Sequence, residues 1–266
     1  MRTADGLAPP RPASPIGNAV RDIAALTRRN VVHLWRNPQL LLLSVVQPIM
    51  FVVLFGYVFG GAIQVPGGHY IDYLVPAIFV QTVLFGGAST ALGLATDLKG
   101  GVIDRMRALP IARSAVLAGR TVADLLRSAI ALGIMIAVGT LVGFRFHGSL
   151  AADFLGCLLI LAFGYAFSWV FVVIALVVKE PEAAQNAGFV PLFILVFASS
   201  AFVPVPSMPH WLQGFATYQP FSVAVNSARA LFNGLPAWHY VWQLLVWIAG
   251  ILAVAIGLGV RQYRRS

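Results

Sequence analysis

Six apolar runs, each long enough to cross a bilayer, follow one another through 266 residues. They cover roughly 39–61, 71–96, 114–143, 154–178, 187–203 and 241–260. About 20 helical residues cross the ~30 Å hydrocarbon layer. All six runs qualify, the fifth only just, either where the bilayer is thin or by borrowing length from Pro204 onward. Only 10% of the chain is charged, against about a quarter in soluble domains. No block between the runs is large enough for a soluble domain. The fold class expected is an all-α integral membrane protein with six transmembrane helices.

Lys and Arg fix the orientation, because short cytoplasmic loops carry the positive excess. If the chain starts in the cytoplasm, sixteen of its 18 Lys and Arg residues fall on that side, and only Arg145 and Arg229 fall outside. The alternation places both termini in the cytoplasm and makes the chain multi-pass. The net charge of +9 then mainly records topology, with some attraction to anionic membrane lipids.

The division expected is a Pro- and Ala-rich tail at 1–17, an interfacial amphipathic helix at 18–37 and a transmembrane domain at 38–266. In the helix, Val20, Ile23, Val31, Leu34 and Trp35 face lipid, and Arg21, Arg28, Arg29 and Arg36 face headgroups. The tail lacks the apolar core of a secretory signal. Between the fifth and sixth runs, "HWLQGFATY" and "FSVAVNSARALFN" read as two short amphipathic helices at the outer surface, punctuated by Pro204, Pro206, Pro209 and Pro220.

The charged stretch from Asp97 to Ser128 holds six basic and three acidic residues between two apolar runs. It is not a phosphate-binding loop, because Lys99 precedes Gly100 and Gly101 and no Ser or Thr follows. It is not a nucleic-acid patch, because it contains no aromatic residue to stack on bases. It reads as helix–turn–helix. Asp97 is a candidate cap, and Gly100 and Gly101 allow a turn. Val102, Ile103, Met106 and Leu109 form an apolar stripe, Asp104 and Arg107 pair at i, i+3, and Pro110 ends the helix. Asp124 can pair with Arg120 or Arg127. Unpaired charge in hydrocarbon costs about 2.5–3.5 kcal/mol, so the helix up to Arg127 is expected at or below the inner interface. A short apolar stripe held at the membrane face suits a groove on another protein, and a solvated loop that only sets topology is the competing reading.

These residues resemble the signature region of ABC-2 type transporter permeases, in particular the daunorubicin-resistance-type exporters of actinobacteria. The shared pattern runs from Asp97 and the glycines through Asp104-Arg105, Leu109-Pro110 and Gly119-Arg120. It continues in "EPEAAQNAGF", "SSAFVPVPSMPHWLQ" and "YQPFSVAVNSARALFNG". Tyr218-Gln219-Pro220 departs from it, since many relatives have Asn-Pro there. The resemblance implies an export permease in a bacterial cytoplasmic membrane that carries a hydrophobic drug or lipid-like substrate and catalyses nothing itself. It implies a separate ABC ATPase subunit that binds the ATP and Mg, leaving this chain without a cofactor, and a second copy or a related permease chain as partner. It implies that Asp97, Gly100, Gly101, Val102, Ile103, Asp104, Arg105, Met106, Arg107, Leu109 and Pro110 couple to that ATPase. It also implies that the two short helices re-enter the membrane from outside.

Candidate path residues are the polar and aromatic side chains of the runs: Gln47 before Pro48, Gln81, Phe85 and Ser89 on one helix face, Tyr165 and Ser168, and Ser199. Helix packing through the serines is the competing reading. Gly86-Gly87 and Gly56-x-x-x-Gly60 are expected at close helix contacts, including one across a dimer. Cys157 is expected as a buried apolar filler. Arg229 is expected to meet lipid headgroups or a structural partner, for which Asp72 is the candidate, with an anionic substrate as the competing reading. Glu180 and Glu182 are expected caps of the helix after Pro181. No HExxH or GxSxG motif occurs, and the five histidines sit at run ends and in loops, which argues against an intramembrane enzyme or metal centre. An ion-coupled secondary transporter needs a buried charge in mid-span, and none is expected here. Export of lipid-linked glycan remains an alternative within the ATP-driven class.

Overall fold

The computed structural model describes residues 38–65, 69–100 and 113–265, with backbone alone for 38–44, 113–118 and 263–265. The expected tail, the interfacial helix and the stripe from Val102 to Leu109 lie outside these residues. Among the described residues every regular element is helical. Helix α1 (Pro38–Val53) runs on into a π-helical stretch, Leu54–Phe59. There follow α2 (Tyr70–Lys99), α3 (Arg113–Val142), α4 (Leu150–Val178), α5 (Pro181–Phe197), α6 (His210–Tyr218), α7 (Pro220–Phe232) and α8 (Trp238–Arg265). A short 3-10 turn, Val205–Ser207, precedes α6.

Among the described residues, four helices are long and apolar enough to cross a membrane: α2, α4, and the stretches Gly119–Val142 of α3 and Trp238–Gln262 of α8. Helix α2 is apolar on every side, so it occupies the middle. It packs against α1, α3, α4, α5 and α7, whereas α8 lies at the rim against α4 and α7.

Contacts fix the directions. Gly139 of α3 faces Val75 and Phe79 of α2, and Gly86 of α2 faces Arg127 of α3, so these helices are antiparallel. Val83 of α2 faces Gly164 of α4, and Gly87 faces Phe171, so α2 and α4 are parallel. The Phe171 ring is wedged between Gly87 of α2 and Gly188 of α5. A Cβ at Gly87 would lie 2.7 Å from Phe171 Cε2. Gly87→Val is therefore expected to lower stability by about 1–3 kcal/mol through overpacking, read as a lower melting temperature in detergent. The glycine pair at 86–87 thus serves contacts inside one chain. Gly56 meets nothing within 4 Å.

The bounds of α5 correct the expected run at 187–203. The helix starts six residues earlier, on Pro181, because the fixed φ of proline suits a first helical position. It stops at Phe197, and its 17 residues span about 25 Å. The helix is therefore no longer than the expected run; it is displaced toward the polar side and does not extend onto Pro204. Glu180 does not cap α5 with its side chain. Its Oε1 accepts from Lys99 Nζ at 2.7 Å in an exposed pair. Cys157 is partly buried and packs against the apolar core.

Candidate functional site

The break after α5 leaves backbone groups without helical partners. Ser199, Ser200, Ala201 and Phe202 are nevertheless buried. Irregular backbone inside a bilayer must be satisfied by protein, and here α7 and α2 supply the partners. Gln219 Nε2 donates to Leu195 O at 2.7 Å and to Ser222 Oγ at 3.0 Å, while its Oε1 accepts from Phe221 N at 3.0 Å. Glutamine therefore performs the capping in the position where the resemblance leads one to expect Asn. Ser222 Oγ accepts from Ser200 N at 3.1 Å, and Ser200 Oγ donates to Asn226 Oδ1 at 3.0 Å. Tyr73 OH donates to Ser200 O at 2.8 Å, and Tyr70 OH donates to Phe202 O at 2.9 Å.

Arg229 closes this latch. Its guanidinium donates to Tyr73 O at 3.0 Å, Asn226 Oδ1 at 2.9 Å and Ser200 O at 3.1 Å, and lies 3.5 Å over the Tyr73 ring centroid. The expected partner Asp72 is not among these contacts. Pro76 has no N–H for the Asp72 carbonyl one turn back, and Asn233 Nδ2 donates to that carbonyl at 3.3 Å. The two short helices fall where the sequence places them, as α6 and α7. Most of α7 is buried and its polar residues point inward, whereas α6 leaves Trp211, Phe215 and Tyr218 exposed.

A second polar system lies toward the opposite end of α2 and α3. Asp97 sits inside the last turn of α2, so it is not the cap of a new helix. Its Oδ2 accepts from Arg120 Nη1 at 2.5 Å. Arg127 pairs with Asp124 one turn back and donates to Gly86 O. Asp124 and Arg127 are only 8% and 12% exposed. Arg127 lies about 22 Å along α3 from its end at Val142. The pair neutralises itself, which is what makes its burial tolerable.

The remaining predicted residues separate. Gly100 closes α2 with right-handed dihedrals, its N–H donating to Thr96 O at 2.9 Å. Gly101, Val102, Ile103, Asp104, Arg105, Met106, Arg107, Leu109 and Pro110 lie outside the described residues. Gln47 is half-buried ahead of Pro48. Gln81 is 1% exposed, and neither amide atom has a hydrogen-bond partner. Phe85, one turn on, meets Phe189 and Phe193 of α5 at 5.7 and 5.6 Å. Ser89 is exposed and donates to Gly86 O at 2.7 Å. Ser168 donates to Tyr165 O at 2.8 Å, a bond within its own helix. Ser199 belongs to the latch, donating to Val196 O at 2.5 Å and accepting from Ala201 N at 3.1 Å. The serines thus satisfy themselves on backbone. Gln81 and Phe85 share one column facing α5.

A central apolar helix, three more helices of spanning length and a broken helix sealed by protein groups define a multi-pass membrane protein. Its sequence matches the model of the ABC-2 type transporter family over residues 21–233, and the chain belongs to that family. It is 34% identical over 250 residues to the daunorubicin resistance ABC transporter permease protein DrrB1 of Streptomyces coeruleorubidus, covering 91% of this chain and 88% of that one. It is 29% identical over 225 residues to the probable doxorubicin resistance ABC transporter permease protein DrrC of Mycobacterium tuberculosis, covering 84% and 81%. A putative transport permease, ycf38, of Cyanophora paradoxa is 25% identical over 220 residues, covering 80% and 75%. The chain is a permease, the membrane subunit of an ABC transporter.

Proposed function

We propose that this permease exports a hydrophobic drug or lipid-like molecule across a bacterial cytoplasmic membrane, driven by ATP and Mg bound to a separate ABC ATPase subunit. The observation that carries the reading is the similarity to a daunorubicin resistance permease along nine-tenths of the chain. In this reading α1 with its π-helical extension and α5 cross alongside the four longer helices, giving six spans with both termini cytoplasmic. The 16-to-2 distribution of basic residues supports that orientation. It puts the latch and the α6–α7 pair at the outer side and the Asp97–Arg120 pair near the inner side. The segment from Val102 to Leu109 then docks on the ATPase, with Ile103 and Met106 as apolar anchors and Arg105 and Arg107 as polar ones. The residues flanking it (Asp97, Gly100, Gly101 and Pro110) set its entry and exit. A second permease chain, identical or related, completes the path, and lipid surrounds the pair. Gln81 and Phe85 are the best-supported path residues. An unpartnered buried amide is costly, and a substrate hydroxyl or carbonyl would satisfy it.

The test is daunorubicin accumulation in a drug-sensitive bacterium expressing this chain with an ABC ATPase encoded beside it. Lower accumulation than in cells expressing the ATPase alone is expected, and Gln81→Leu should restore much of the drug. Equal accumulation with and without the permease would contradict the drug-export reading.

A further inference from the structure

The α2–α3 contact repeats itself. Gly86 and Gly93 stand seven residues apart on α2, and Arg120 and Arg127 stand seven apart on α3. Because the helices are antiparallel, Arg127 lies over Gly86 and Arg120 lies over Gly93. Seven residues are two helical turns, so both arginines project from one face of α3 and both glycines open one face of α2. A Cβ at Gly86 would come 3.0 Å from the Arg127 guanidinium nitrogens, and a Cβ at Gly93 would overlap the guanidinium of Arg120. Each arginine is also held by charge: Arg120 by Asp97 across the helices at 2.5 Å, and Arg127 by Asp124 on its own helix, with the Gly86 carbonyl across.

Burial decides which ion pairs matter. Lys99 and Glu180 are 62% and 58% exposed, and such pairs contribute ~0–1 kcal/mol. Arg120 and Asp97 are 19% and 27% exposed, and Arg127 and Asp124 are 12% and 8% exposed. Replacing an arginine of such a partly buried pair by a carboxylate sets like charges against each other at short range. Each guanidinium occupies space that a Cβ would fill, and its fork of donors is one that lysine cannot reproduce.

We propose that Arg120 and Arg127, seated on Gly93 and Gly86, are positioning residues that lock α2 and α3 into one rigid lever. Displacement at the end where residues 100–112 join the two helices is then carried to their far ends near Tyr70 and Val142. The source of that displacement rests on the reading that an ATPase docks there. The lock itself rests on the two seats alone. Without them, movement of the joining segment would splay the two helices instead of tilting them together.

The experiment uses a Cys157→Ser chain with nitroxides at Thr96→Cys on α2 and Leu126→Cys on α3, both exposed positions. The inter-label distance is measured in the permease alone and in the complex with the ATPase trapped by ATP and vanadate. A narrow distance, unchanged on trapping, is expected. Arg120→Asp should roughly double the width of the distribution, as expected when like charges are set against each other at short range. Asp97→Arg combined with Arg120→Asp should narrow it again. A second label reads the lever's output. Maleimide reactivity at Leu141→Cys, 86% exposed at the far end of α3, should change on trapping in the parent. In Arg120→Asp it should not change although hydrolysis persists, a separation that a purely structural defect would not produce. A parent distance that shifts on trapping, or one that stays narrow in Arg120→Asp, overturns the lever. If no trapped complex forms with the parent, the ATPase reading fails, while the width comparison in the permease alone still decides whether the lock exists.

Discussion

Arg229→Met is expected to cost about 3 kcal/mol, among the largest stability losses from a single substitution in this chain. In a chain of this size that corresponds to a fall of roughly 6–12 °C in melting temperature. The reasoning is an accounting of backbone groups. The stretch from Ser199 to Phe202 is buried and not helical, so its polar groups depend on α7 and α2. Arg229 serves two carbonyls and the Asn226 amide oxygen, and places its charge over the Tyr73 ring. Methionine fills the volume but removes three charge-assisted hydrogen bonds, while Tyr73 OH still donates to Ser200 O and Ser200 Oγ to Asn226 Oδ1. Arg229→Lys keeps the charge but reaches fewer acceptors, so an intermediate loss is expected. Thermal unfolding in detergent checks the order: parent, then Lys, then Met. Equal melting of parent and Met variant would mean that the latch does not hold α7 to the bundle.

The four helices of spanning length were legible in the sequence because lipid demands long apolar runs, a demand that few soluble folds imitate. A helix after Pro181 was legible from its turn chemistry, but hydropathy set the span six residues later because "PEAAQN" is polar. Its end was hidden for the opposite reason. Ser199 to Val203 reads as apolar as a helix does, yet the chain breaks there because α7 supplies other hydrogen-bond partners. The signal for the latch was present as Gln219, Ser222, Asn226 and Arg229 at helical spacing. What the sequence lacked was direction, since an amphipathic pattern reads as a surface helix until burial shows the polar side facing inward. The arginine seats were half visible. Both sevenfold spacings stand in the chain, but only the antiparallel register of α2 and α3 sets one against the other. The partner of Arg229 was not legible because charge complementarity along a sequence proposes carboxylates, and here carbonyls take their place.

Ile103→Asp with Met106→Asp is expected to abolish capture of the ATPase subunit. An apolar side chain seated in a protein groove contributes about 1.5–3 kcal/mol on burial. Replacing two such anchors with carboxylates forfeits both contributions and adds desolvation of charge. A loss of at least ~4 kcal/mol lowers affinity roughly a thousandfold, enough to empty an affinity column. Arg120 and Arg127 lie outside the docking segment in this account, so their variants should still capture the ATPase. The most direct test is co-purification of the tagged permease with an ABC ATPase encoded beside it, followed by ATP turnover of the eluate in proteoliposomes. The account predicts a complex for the parent chain, with ATP turnover per ATPase subunit different from that of the isolated subunit. It predicts no co-eluting ATPase for the Ile103→Asp/Met106→Asp chain, with the permease still folded. Retention of the ATPase by the doubly substituted chain, at parental turnover, would contradict it.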